Sequence, residues 1–233
     1  MPYRRLPNTD QARLRALKAA CNAINRYTPD QLLFGPKTAM AVTSYTPIFE
    51  QGLNQYLGSK SMQTELGKKM NDTAKQARLY LSHYIQVFNM CIMRGEIKKE
   101  ARALIGLDIE SNTVPDLSTD QQLIEFGKAV VEGESRRTGN RIYNPSIANV
   151  KVKLDMFNEA YAKHKDMQAT IQKHHAKFDE IRGKADGIIL DIWNEVEASL
   201  GTIDTEEKRQ KATEYGIVYF YRPVERQKDF LGM

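Results

Sequence analysis

Long runs in which apolar residues recur every three or four positions alternate along this chain with short polar segments marked by glycine or proline. Such a period gathers the apolar side chains on one face of a helix. The first run follows Pro7, where Asn8 or Thr9 is placed to cap the backbone N–H groups that a first helical turn leaves unpaired. Leu14, Leu17, Cys21 and Ile24 form its apolar stripe. Thr28-Pro29-Asp30 and Gly35-Pro36 then interrupt the chain before a second helical stretch, about 37–57, with Met40, Tyr45, Ile48, Phe49, Leu53, Tyr56 and Leu57 on its apolar face. Pro47 is expected to kink this helix or restart it at Thr46, because proline lacks a backbone donor and crowds the turn before it.

The most regular pattern covers about 61–94, where Leu66, Met70, Ala74, Ala77, Leu81, Tyr84, Phe88 and Cys91 follow one another at steps of four and three. Tyr80, Ile85, Val87 and Ile92 widen that seam beyond a two-stranded coiled coil, which predicts a central helix surrounded by several others. Gly95 ends it, and a short helical piece over Glu96–Leu104 leads into a polar connection of about a dozen residues, near the upper limit for an unstructured loop. Ser118-x-x-Gln121 has the form of a capping box before a helix over about 119–134, with Leu123, Phe126, Val130 and Val131 on its buried side.

Past the basic loop from Ser135 to Arg141, the same period returns in Ile147, Val150, Leu154, Phe157 and Tyr161. After an expected break near 164–170 it resumes in Ile171, His174, Phe178, Ile181, Ala185, Ile189, Ile192, Val196 and Leu200. The succession 37–57 then 61–94 echoes 147–163 then 171–200, so 37–94 and 147–200 are expected as two long helical hairpins, a pseudo-repeat, packed into a four-helix core. Asp204-x-x-Glu207 can cap a short helix ending at Tyr215-Gly216, with the glycine supplying a left-handed C-terminal cap. Ile217, Val218, Tyr219, Phe220 and Tyr221 then read as a strand bounded by glycine and Arg222-Pro223. Its partner is either the extended segment Tyr3–Leu6 or the same strand of a second copy, unless it lies as extended chain over the bundle. The expected architecture is one all-α domain over 1–233: a helical bundle, short peripheral helices and one short C-terminal strand.

Composition fits that picture. At 233 residues, with 41% hydrophobic and 27% charged residues, the chain has enough apolar surface for a core, which excludes disorder by composition. No apolar run approaches the roughly 18–20 residues of a membrane span, so no membrane partner is expected. Cys21 and Cys91 cannot make a disulfide framework, and the N-terminal residues contain no apolar run of signal-peptide length; both point to the cytoplasm. The formal charge of +5 is concentrated: Arg4, Arg5, Arg13, Arg15, Lys18 and Arg26 face only Asp10 and Asp30 within residues 1–30, a local +4. That basic helix is either a phosphate-facing strip or the solvated side of an amphipathic helix, and the second reading is the simpler.

The chemistry-bearing residues do not form a recognisable reactive set. Glu-x-x-His, which would send two metal ligands inward from adjacent turns, is absent, as are His-Glu-x-x-His, phosphate-binding glycine loops and Gly-x-Ser-x-Gly. No metal, no cofactor and no catalytic residue is therefore expected. His174 lies on an apolar seam, where a hydrogen-bonded boundary residue is the expectation; His164 and His175 belong to solvated faces, and His83 lies beside the Tyr80/Tyr84 face. Cys21 and Cys91 sit on apolar stripes, where a thiol packs as a small hydrophobe with a raised pKa. Asp186 with Asp191, and Glu195 with Glu197, stand five and two residues apart and do not share a helical face.

Arg5-Leu6-Pro7-Asn8-Thr9-Asp10-Gln11-Ala12-Arg13, Phe88-Asn89-Met90, Arg94-Gly95-Glu96-Ile97, Gly106-Leu107-Asp108, Thr113-Val114-Pro115-Asp116-Leu117 and Tyr215-Gly216-Ile217-Val218-Tyr219 span almost the whole chain. As a set they resemble an uncharacterised family of bacterial all-helical proteins. The resemblance implies an intact helical domain and carries no activity, cofactor or catalytic residue. Three functional expectations follow from the residues. The first is a non-catalytic structural or interaction bundle that self-associates or docks a protein partner through Ile217–Tyr221. The second is nucleic-acid binding through Arg4, Arg5, Arg13, Arg15, Lys18 and Arg26, aided by Arg136, Arg137 and Arg141. The third is a small-ligand pocket between helices, lined by Tyr80, His83, Tyr84 and His174.

Overall fold

The computed structural model describes residues 3–202 and 205–220. Within them the chain is all-α apart from one two-stranded ribbon. The order is β1 (Tyr3–Arg4), α1 (Asp10–Arg26), α2 (Pro36–Met93), α3 (Ala101–Leu104), α4 (Asp120–Arg136), α5 (Ile147–Leu200), α6 (Glu206–Thr213) and β2 (Tyr219–Phe220). The long helices stand where the hydrophobic period put them, but the expected hairpin turns are not there: 37–94 and 147–200 each lie within a single unbroken helix. Gly58 is the only turn-forming signal near 57–61, and one helical glycine costs about 1 kcal/mol against alanine, too little to end a helix anchored on both sides. Residues 164–170 contain neither glycine nor proline and so offer no stop.

Pro47 lies inside α2 without ending it. Proline at this position deprives the Thr43 carbonyl of its helical donor, and both residues are on the exposed face, where water replaces the bond. The buried face of this part of α2 is Val42, Phe49 and Leu53; Met40, Ile48 and Leu57, expected there, are exposed.

Helix starts follow their caps. Thr9, one of the two candidates, accepts from the Ala12 N–H at 3.2 Å. The capping box of α4 is Thr119 with Gln122, one residue later than expected, because Ser118 is turned to Asp116, which accepts its backbone N–H at 2.9 Å. In α6 the cap is Thr205, bound by Lys208 N–H; the expected cap Asp204 lies outside the described residues. Only Ala101–Leu104 of the expected 96–104 piece is helical.

The chain forms two compact units, Met1–Ser59 with Gln172–Met233, and Lys60–Ile171. The core of the first combines Leu17 of α1, Val42, Phe49 and Leu53 of α2, Phe178, Ile189, Trp193 and Val196 of α5, and Tyr215 and Ile217 beyond α6. Phe49 meets Phe178 with ring centroids 5.4 Å apart, and Tyr215 is edge-on to Phe34 at 5.7 Å. Burying each such ring contributes about 1.5–3 kcal/mol. Gly216 is left-handed as expected, with φ of +86°, but stands two residues past Glu214, the C-cap of α6, and packs so closely on α1 that a Cβ there would lie 2.8 Å from Ala16 Cα.

In the second unit Leu81, Tyr84, Ile85 and Phe88 of α2 pack with Leu123 and Val130 of α4 and Val150, Leu154 and Phe157 of α5. Gly133 of α4 touches the end of α3: a Cβ there would stand 2.0 Å from the Leu104 carbonyl oxygen. The long connection before α4 is ordered by buried Arg102, which donates to the carbonyls of Asp108 at 2.7 Å and Thr113 at 3.2 Å and to the Asn89 side chain. Asn89 in turn donates to the Asn112 carbonyl at 3.0 Å.

Candidate ligand-binding cleft

The C-terminal strand takes the intramolecular option. Tyr219 and Phe220 pair antiparallel with Arg4 and Tyr3, and the Arg5 N–H donates to the Val218 carbonyl at 2.9 Å. Of the expected strand 217–221, Ile217 belongs to the buried core, Val218 is exposed, and Tyr221 lies outside the described residues. A single carboxylate fastens the ribbon to α5: Glu197 accepts from Arg4 at 2.9 Å and from the Tyr219 hydroxyl at 3.0 Å. Burial, reinforced by the Glu197 charge, holds the Tyr219 pKa well above the usual phenol value.

The segment from Arg5 to Thr9, between ribbon and helix, walls a cleft of about 570 Å³ in the first unit. One side is the small-residue face of α1, Ala12, Ala16 and Ala19; the other is Gly216, Ile217, Val218 and Phe220. Leu6 and Pro7 extend the apolar lining, and Trp193 of α5 completes it. Trp193 is the chain's only tryptophan and 1% exposed, and its indole N–H has no hydrogen-bond partner among the described residues. A buried donor left unpaired costs about 1–3 kcal/mol. The charged part of the lining is cationic, beside the neutral side chains of Asn8 and Thr9. Arg5 stacks its guanidinium 5.1 Å from the Phe220 ring centroid, exposed Arg15 forms no ion pair among the described residues, and no carboxylate lines the cleft there.

The rest of the expected basic strip is occupied by internal ties. Arg13 grips Asp186 of α5 through two bonds of 2.7 and 3.0 Å, while Arg182 of α5 grips Asp10 of α1 in the reverse sense at 2.7 and 2.8 Å. Lys18 meets Glu50 at 2.5 Å, Arg26 stands 3.9 Å from Glu214, and Arg4 is held by Glu197. In the second basic segment Arg137 forms a buried bidentate pair with Glu134 at 2.5 and 2.8 Å, and Arg136 lies 3.9 Å from Glu132. Arg141 is exposed.

Of the expected pocket residues, Tyr80, His83 and Tyr84 belong to the second unit, where Tyr84 is buried while His83 is exposed, and His174 belongs to the first. His174 is a hydrogen-bonded boundary residue, its Nδ1 2.7 Å from Ser59 Oγ. His175 is exposed beside Asp179, whereas His164 is half-buried against Gly67, not on a solvated face. The Tyr84 hydroxyl is buried without a partner, and burial with the nearby Glu134 charge raises its pKa strongly.

The carboxylate pairs diverge as their spacing requires. Asp186 binds Arg13, and Glu195 accepts from the Gly35 N–H and the Thr38 hydroxyl, both at 2.6 Å. Glu195 thereby caps α2, whose own first turn lacks an acidic residue. Buried Cys91 has its thiol pKa raised by burial first and Glu96 second. Cys21 is half-buried with its sulfur 3.2 Å from Thr46 Oγ1. No His/Cys/Asp/Glu group among the described residues has the arrangement of a metal site, and no helix there is long and apolar enough to cross a membrane.

Sequence reading named Arg5, Arg15, Ile217, Val218 and Phe220 as parts of two separate sites, and the fold brings them to one cleft. Trp193 and the three alanines escaped it; the one available signal was a lone tryptophan beside Ile192 on the α5 seam. Comparison with known protein families, curated proteins and solved structures finds no match, which leaves the cleft's own chemistry as the guide to function.

Proposed function

We propose that this chain is a non-catalytic binding protein whose recognition site is the cleft between the Arg5–Thr9 segment, α1 and the Ile217–Phe220 strand. The observation that supports this reading most is the apolar cavity itself, lined by Ala12, Ala16, Ala19, Ile217 and Val218 and carrying Arg5 and Arg15 as its only charged groups among the described residues. At about 570 Å³ the cavity is in the ordinary range for small-molecule sites, roughly 300–1,000 Å³, which are mainly apolar with a few placed polar groups. Of the candidate acid and base carboxylates, Asp186, Glu195 and Glu197 are each engaged by another segment of the fold.

The test is a titration of the full chain with the neutral dye Nile red. Saturable binding at one dye per chain, with a blue-shifted dye emission, is expected. Ala12→Phe, which places a ring in the cleft from half-buried α1, should abolish it without altering the helical circular dichroism. Absence of saturable binding, or equal binding by the variant, would exclude the cleft as the recognition site.

Self-association through the ribbon is a second reading, because the β1–β2 pair has no third strand beside it among the described residues. Light scattering coupled to size exclusion decides it: the 26.6 kDa mass of one chain at every concentration would leave the ribbon as an internal clasp. The same run at low and high salt, with absorbance at 260 nm, tests for bound nucleic acid. With Arg4, Arg13, Lys18 and Arg26 of the expected basic strip already paired, no 260 nm excess is expected.

A further inference from the structure

From the charge distribution around the cleft we infer that its ligand is an amphipathic carboxylate, an apolar chain or ring bearing one carboxylate group. The assignment rests on the cleft being the recognition site and adds the chemical class of what enters it. The lining divides into two parts. Leu6, Pro7, the α1 alanines, Ile217 and Val218 offer apolar contact with no acceptor or donor beyond the backbone. Against them stand the guanidinium groups of Arg5 and Arg15, with the uncharged side chains of Asn8 and Thr9 beside them.

These donors are what a carboxylate needs and an uncharged apolar molecule does not. Arginine presents a planar fork that matches the two oxygens of a carboxylate, and a hydrogen bond to a charged acceptor is about twice as strong as a neutral one. Arg4, Arg13, Lys18 and Arg26 on the same segment and helix each meet a carboxylate of the chain, whereas Arg15 meets none among the described residues. Arg5 is engaged by a ring and keeps its charge. With no acidic residue lining the cleft among the described residues, the cationic potential there is uncompensated, and an anion supplies the missing partner. A cation or a zwitterion with its ammonium group in the cleft would meet two like charges.

The chain's single tryptophan gives a direct reading of the site. Full-length protein is titrated with decanoate, below its micelle concentration, and in parallel with 1-decanol, while Trp193 emission is followed and calorimetry gives the affinity. Decanoate is expected to bind about ten-fold more tightly than decanol, and the gap should narrow as salt is raised. Arg15→Gln, on an exposed position of α1, should close most of that gap. Equal affinity for the two probes in the wild-type protein would overturn the carboxylate assignment while leaving the cleft as a binding site. Failure of both to bind would remove the cleft reading itself.

Discussion

Single residues carry several of the ties that hold the helices in place, and Glu195 is the most informative. Its carboxylate leaves α5 to accept two hydrogen bonds at the start of α2. Glu195→Ala is expected to cost about 1–3 kcal/mol, because a half-buried helix start and the buried Thr38 hydroxyl lose their acceptor. Thermal unfolding should show a midpoint lower by about 3–10 °C. Glycines divide by what stands over them. Gly133→Ala places a methyl group against the Leu104 carbonyl and should cost more than about 3 kcal/mol, while Gly183→Ala, with nothing within 4 Å, should stabilise α5 by about 0.5–1 kcal/mol. Urea titration of the pair gives opposite signs if contact, not glycine itself, is decisive.

Tyrosines give a pH dependence with a fixed sign. Burial first raises the pKa values of Tyr84, Tyr215, Tyr219 and Tyr45 above the ordinary phenol value near 10. A raised folded-state pKa means that the native chain holds protons which the unfolded chain releases first. Stability from these groups is therefore complete below about pH 10 and declines as pH rises above it. An absorbance titration at 295 nm should show a fraction of the 11 tyrosines ionising late and together with loss of helical circular dichroism; early, reversible ionisation of all of them would contradict the burial.

At the scale of the element, legibility depended on the kind of signal. The three-and-four period is repeated many times per helix, so α1, α2, α4 and α5 could be placed from it. Caps are single-residue decisions between neighbours with the same side-chain chemistry, and the Ser118/Thr119 choice was settled by Asp116, which the pattern does not weigh. The breaks expected between 57 and 61 and near 164–170 do not occur, because packing on either side, such as Leu53 before Gly58 and Ala74 after it, carries the helix through them. Pro47→Ala should restore a backbone donor on an exposed face within a continuous helix and raise the unfolding midpoint, by about 2–8 °C for a gain of about 1–2 kcal/mol. A lower midpoint would mean that the proline's effect on the unfolded chain outweighs the helical bond. The cleft was the least legible element, since alanines at 12, 16 and 19 leave no hydrophobic signature and gain meaning only when Ile217 and Phe220 face them.

For the molecule as a whole, burial is unevenly spread along the two long helices. No residue over 54–73 of α2 or 161–177 of α5 is buried, whereas Val42 to Leu53 and Ala74 to Phe88 contribute repeatedly to the cores. Helices in water rely on tertiary packing more than on propensity, so the unburied stretches should open first. Hydrogen exchange followed by mass spectrometry is expected to label 54–73 and 161–177 well before the buried stretches, a mid-helix pattern opposite to end fraying. Uniform protection along α2 and α5 would show that backbone hydrogen bonding alone suffices there.

The pairing of Arg5 with Val218 also has a bearing on time. The walls of the cleft come from segments separated by about two hundred positions, and contacts that close so long a loop form late, because their entropy must be met before any local reward. Helices α1, α2 and α5 can each be wound while the cavity does not yet exist. In a refolding experiment the helical signal should therefore recover first and the capacity to take up a probe afterwards, making uptake a clock for the last step of assembly.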